Sequence, residues 1–161
     1  MLAASITLLS PASAQMDRLE RTYRPIVILA ESANTPVLND LNIVLRQSRN
    51  ALADRDVMVI TVAGPEASAW DPVLNETSDL SFDAEELRAV YGGQAEPVSL
   101  VLVGKDGDIK DRGTTSGDIQ RFLDLIDTMP MRQREIEARE REMERREEIE
   151  NRMWGGETFG R

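Results

Sequence analysis

The side chains best placed for chemistry are the only two lysines, Lys105 and Lys110, and the carboxylates around them, Asp106, Asp108 and Asp111. A lysine serves as a base only where its surroundings depress its pKa. Lys105 lies within a Gly104-Lys105-Asp106-Gly107 turn signal and Lys110 on the strand after it, so both are expected on an exposed hairpin. The three aspartates are hard oxygen donors of the kind calcium takes, but they miss the calcium-loop spacing and read as solvated turn acids. Glu85 and Glu86 are adjacent, so on a helix they diverge instead of converging as an acid/base pair. Gly104-Lys105 lacks the spaced glycine and following hydroxyl of a phosphate loop. Asn75-Glu76-Thr77 matches a glycosylation sequon, and Trp70 and Tyr91 read as packing residues.

What is missing narrows the chemistry further. The 161 residues include no cysteine and no histidine. Without thiols there is no disulfide, no cysteine nucleophile, no thiolate metal site and no iron–sulfur cluster. Without imidazole the usual general base near neutral pH and the commonest zinc ligand are gone. No cofactor, no metal and no catalytic residue is expected. A formal charge of −10 repels phosphate backbones and anionic lipid at long range, so nucleic acid is not an expected partner.

The chain opens on a short apolar run, Leu2 to Leu9, followed by Ser10-Pro11 and the small-x-small sequence Ala12-Ser13-Ala14. The run is shorter than the roughly 20 residues that span a bilayer. Residues 1–14 therefore read as a signal peptide cleaved before Gln15, although the first basic residue, Arg18, lies beyond the cut. An exported, periplasmic protein with no stable membrane span after signal removal is expected.

A strand, helix, strand, helix, antiparallel hairpin and helix must carry the fold, in that order. Pro25 to Ala30 is a continuous apolar run of the kind found in strands buried on both faces, Val57 to Val62 is rich in branched residues and reads as a second buried strand, and Pro97 to Val103 gives a third. Thr35-Pro36 opens a helix, with Thr35 at the cap and proline at the first position. Leu38, Leu41, Leu45 and Leu52 form its apolar stripe. A helix between two such strands implies a right-handed parallel crossover. Residues 63–80 read as a long loop, and Asp83 to Tyr91 as a short helix ended by Gly92-Gly93. Asp108 to Arg112 alternates like an edge strand paired with the run before it. Thr115 and Ser116 offer caps for a last core helix whose Ile119, Phe122, Leu123 and Ile126 line one face.

Beyond Pro130 the composition changes. Residues 130–153 alternate arginine and glutamate, with pairs such as Glu135–Arg139, Glu137–Arg141 and Glu142–Arg146 at i, i+4 spacing. Met129, Ile136 and Met143 repeat every seven residues, but Arg132, Arg139 and Arg146 occupy the other seam positions, so half a coiled-coil seam is missing. A solvated charged helix is expected, with 154–161 a flexible tail carrying Trp154 and Phe159.

The element order resembles the thioredoxin fold, and Val27 to Pro36 is similar to the strand-to-helix turn where thioredoxins carry their redox Cys-x-x-Cys. Ala33 and Pro36 stand at the two cysteine positions, and Pro97 at the place of the cis-proline facing them. The stretch Leu102 to Arg112, with Leu125 to Arg132, further resembles an uncharacterised family of bacterial exported thioredoxin-like proteins, a domain type that also recurs in vertebrate sushi-repeat extracellular proteins. The resemblance implies an α/β fold over residues 15–129: a thioredoxin-like mixed sheet flanked by helices, plus the long charged C-terminal helix. It implies little chemistry, because the family's activity is not established.

Thiol–disulfide exchange and peroxide reduction both begin with a thiolate, which no residue here supplies. What the resemblance leaves is a candidate groove of Ala33, Asn34, Thr35, Pro36 and Pro97, where free N–H groups at a helix start could face an extended peptide or a small anion. The expectation is a non-catalytic exported domain that binds a peptide, protein or small ligand. The alternatives are an enzyme of unfamiliar type using carboxylates or a divalent metal, and a structural envelope component. Oligomeric state is not legible.

Overall fold

Seven consecutive buried residues make the first strand the centre of the sheet. This strand, β1 (Arg24–Ala30), has no solvent-facing side, as its uninterrupted apolar run requires. The computed structural model describes residues 11–92 and 97–154. The leader run Leu2–Leu9, Gly93 and the end of the chain with Phe159 lie outside the described residues. Helix α1 (Pro11–Leu19) precedes β1 and runs across the Ala14–Gln15 boundary.

After β1 the chain turns into α2 (Pro36–Gln47), breaks at Ser48, continues as α3 (Arg49–Asp54) and enters β2 (Val57–Ala63). The leucine stripe expected of one helix is thus shared by two, and Leu38, Leu41, Leu45 and Leu52 are all buried. β2 pairs parallel to β1, Ile26 facing Val59 and Ala30 facing Ala63.

The segment expected as a long loop is a hairpin. β3 (Glu66–Asp71) pairs antiparallel to β2, and β4 (Glu76–Thr77) pairs with β3. The two-residue connection Gly64-Pro65 makes this possible: Gly64 sits at φ +62° at the first turn position, where a side chain would be strained. β3 was hard to see because its inward residues are mostly alanine, with only Ala69 and Asp71 buried.

α4 (Ala84–Tyr91) is capped by Asp83, whose carboxylate accepts the Glu86 N–H at 2.8 Å. Gly92 is its C-cap, at φ −57°, and its N–H donates to the Arg88 carbonyl. β5 (Val98–Val103) returns antiparallel to β1, and β6 (Ile109–Gly113) pairs antiparallel to β5 at the edge. α5 (Asp118–Asp127) follows, and α6 (Pro130–Trp154) is the charged helix. The cap of α5 differs from expectation: Asp118 reaches back to accept the N–H groups of Thr114 and Thr115 and the Thr115 hydroxyl, each at 3.0 Å. Gly113 leaves room for it, since a Cβ there would lie 2.6 Å from the Asp118 side chain.

The sheet order is β4-β3-β2-β1-β5-β6. Its centre, a parallel β1–β2 pair flanked by an antiparallel β5–β6 pair, is the thioredoxin-like arrangement, extended at one edge by the β3–β4 hairpin. One face packs Val27, Leu29, Ile60 and Val101 against Leu19, Leu87 and Tyr91 from α1 and α4. Strand alternation sends Ile26, Ile28, Leu100 and Leu102 to the other face. There the buried leucines of α2 and α3, with Ile119, Phe122 and Leu123 of α5, complete the core.

The described residues divide into two compact units between Leu123 and Asp124. In the second, Glu137–Arg141 and Glu142–Arg146 form the expected helical ion pairs at 3.8 and 3.1 Å. Arg132 departs from the expected solvated face: it is buried and lies 3.4 Å from Asp127. No described helix is long and apolar enough to cross a membrane.

Candidate functional site

β1 ends at Ala30, and the chain must turn before α2 can cross the sheet. Glu31, Ser32, Ala33, Asn34 and Pro36 are exposed on this turn and Thr35 is half-buried. The Thr35 hydroxyl donates to the Ser32 carbonyl at 2.8 Å, and Ser32 Oγ accepts the Asn34 N–H at 3.3 Å. Thr35 therefore occupies the N-cap without capping through its side chain; its carbonyl accepts the Leu38 N–H at 2.9 Å. The expected array of free N–H groups shrinks accordingly. Asn34 and Thr35 spend theirs within the turn, and Pro36 has none.

The strand register brings Pro97 to the same end of the sheet. Ala30 faces Val98, so Pro97 stands one step beyond the last paired residue, across from Glu31, and it is exposed. Its bond to Glu96 lies outside the described residues. The five candidate residues thus share one pole, with an apolar pair, Ala33 and Pro36, on its turn.

A residue that sequence reasoning missed closes this pole. Arg88 of α4 sends Nη2 to the carbonyls of Ala30 and Gly64, both at 2.8 Å, tying the ends of β1 and β2 together. Its signal was an arginine on the buried stripe Ala84, Leu87, Tyr91, a place where a cation needs a built-in partner.

The residues first weighed for acid or metal chemistry are engaged elsewhere. Lys105, expected on an exposed turn, is buried and 2.8 Å from Asp56 Oδ2. Lys110 lies 2.6 Å from Asp106 and 3.6 Å from Asp108. Burial opposes ionisation of Asp106, but hydrogen bonds from Lys110 and the Asp108 N–H outweigh it and hold the carboxyl below its ordinary value. Asp111 pairs with Arg121. Among the described residues no group of three or more acidic side chains is arranged to hold a metal ion.

Residues 15–135 match the family described as Domain of unknown function (DUF4174). The chain belongs to that family. The DUF4174 match includes β1, the turn, the hairpins and α5, and it ends within α6. No curated protein matches the chain. Among solved structures, Plasmodium yoelii Prx1a, modified at its N-terminus and described as an artifactual octamer, is 12% identical, covering 74% of this chain and 80% of that one at a TM-score of 0.47. Plasmodium yoelii thioredoxin peroxidase I is 12% identical over 73% of this chain and 78% of that one, at 0.45.

Proposed function

We propose that this DUF4174 chain is an exported, non-catalytic binding domain that takes an extended peptide or protein segment at the turn of Ala33, Asn34, Thr35 and Pro36, beside Pro97. The observation that carries the reading is the pole itself. It is exposed, it joins the end of β1 to the entry of β5, and its two central side chains are Ala33 and Pro36. Nothing in that pair can attack, transfer a proton or change oxidation state. A peptide suits it better than an anion, because the Asn34 and Thr35 N–H groups are already used within the turn.

Export rests on the run Leu2 to Leu9 and the small residues Ala12 to Ala14. The charged helix α6 serves as a spacer or assembly element, with Met143, Met153 and Trp154 exposed along its last turns. Titrating the full chain with a panel of extended peptides, followed by amide chemical shifts, tests the site. Saturable changes centred on residues 31–37 and 97–99 support the reading, and changes centred anywhere else refute it. Sequencing the N-terminus of protein recovered from the periplasm tests export, with Gln15 as the expected first residue.

A further inference from the structure

Cleavage after Ala14, the export step proposed above and the one on which this reading rests, makes Gln15 the first residue of the mature chain. Glutamine at a chain start carries its own reaction partners. A free α-amine and a side-chain carboxamide then sit on one residue, separated by the atoms of a five-membered ring.

The fold sets where that residue lies. Met16 packs against the core face that holds Leu87 and Tyr91, and Leu19 is 2% exposed within it. The Arg21 N–H donates to the Lys105 carbonyl at 2.7 Å, fixing the end of α1 to the connection after β5. The body therefore grips the chain from Met16 onward, and the cut falls one residue outside that grip.

Gln15 itself is half-buried, and its Oε1 is buried without a hydrogen-bond partner among the described residues. Buried polar atoms are normally bonded, so this carboxamide is placed by packing alone. No hydrogen bond to its oxygen has to break before its carbon is attacked.

We propose that Gln15 of the processed chain closes on itself to a pyroglutamyl residue, so that the mature protein starts with a neutral lactam. The α-amine nitrogen bonds to Cδ, the Cδ–Nε2 bond breaks, and the amine gives one proton to the departing nitrogen, which leaves as ammonia. No oxidant, reductant or second substrate enters. An α-amine is ordinarily half uncharged at about pH 8, so the attacking form is present near neutrality. Holding both groups on one residue makes the attack intramolecular, which supplies the rate that a separate amine lacks. Closure removes the terminal ammonium, and with it the group by which an aminopeptidase holds a chain end.

Intact-mass and tandem mass spectrometry of the full chain expressed with its leader, recovered from the periplasm and held for a day at neutral pH, test the assignment. The expected mass is that of Gln15–Arg161 less one ammonia, with the loss placed on the first residue. Pyroglutamyl aminopeptidase should then remove that residue and expose Met16. Gln15→Asn should be cut at the same bond and keep its full mass at the first residue, because attack on its shorter side chain needs a four-membered ring. A chain that starts at Gln15 with its ammonia retained overturns the lactam and leaves export standing. A loss placed on another residue, or an equal loss at the start of Gln15→Asn, overturns it too. A chain that still carries its leader overturns export and the lactam together, and none of these outcomes bears on peptide binding at the turn.

Discussion

Lys105 Nζ lies 2.8 Å from Asp56 Oδ2, joining the connection after β5 to the residue just before β2 across 49 positions of sequence. Arg24, 1% exposed, sends Nη1 to the Arg55 carbonyl at 2.9 Å and lies 3.9 Å from the same Asp56 oxygen. One carboxylate thus serves two buried cations at the start of the central strands. Asp56 also sits at φ +51°, a region aspartate and asparagine tolerate better than most residues.

Asp56→Asn keeps the backbone preference and removes the charge, leaving Arg24 and Lys105 without their shared carboxylate. Since Asp56 is 32% exposed, the loss falls at or below the lower end of that for fully buried pairs, about 2–3 kcal/mol. Lys105→Met leaves Asp56 with Arg24 and water and costs about 1 kcal/mol. Urea midpoints of the two variants check the order; a larger loss for Lys105→Met contradicts it.

Arg88→Gln withdraws a guanidinium from the Ala30 and Gly64 carbonyls. Two partly buried acceptors lose their side-chain donor, and stability falls by about 1–3 kcal/mol. Hydrogen exchange at Gly64, whose N–H donates to Ala30 at 3.3 Å, should accelerate with it. Unchanged exchange at Gly64 would show that Arg88 does not hold the strand ends.

Asp118 sets an acid limit. Burial alone would raise its pKa, but the N–H groups of Thr114 and Thr115 and the Thr115 hydroxyl outweigh that and lower it. A carboxyl with a depressed folded pKa stabilises fully above its unfolded value, about 3.9, and that stability is lost as pH falls through the folded value. Asp118→Ala should lower stability at pH 7 and flatten its decline below about pH 4. Parallel pH profiles for the two proteins would contradict the assignment.

The two tyrosines should ionise late. Burial raises Tyr23 first, followed by its 3.0 Å hydrogen bond to Asp71 and that residue's charge; burial raises Tyr91 too. Phenolate absorbance should therefore rise with midpoints above 10, and Asp71→Asn should move one step downward. A single step at the ordinary value would be inconsistent with both environments.

Much of the frame was legible because its signals are local. The runs that became β1, β2 and β5 are mostly apolar, and Leu38 to Leu52 and Ile119 to Ile126 repeat at helical spacing. β3 was missed because alanine carries little hydrophobic contrast, although Gly64-Pro65 was a readable turn signal. Long-range polar partnerships were not legible at all. Lys105 meets Asp56 and Arg88 meets Ala30 only after the sheet has formed, and no local pattern encodes such pairs. The residues of the candidate turn lie together at the end of β1, but its free donors were overcounted because the Thr35 and Asn34 N–H groups bond within the turn.

The account stands on a thioredoxin-like frame whose turn after β1 carries Ala33 and Pro36 and no thiol. Dithiothreitol-driven reduction of insulin disulfides, followed by turbidity, measures this directly on the full chain and on the double variant Ala33→Cys/Pro36→Cys. The unaltered chain should stay at the uncatalysed rate, and the double variant should exceed it severalfold. Turnover by the unaltered chain, or a folded but inert double variant, would contradict the account.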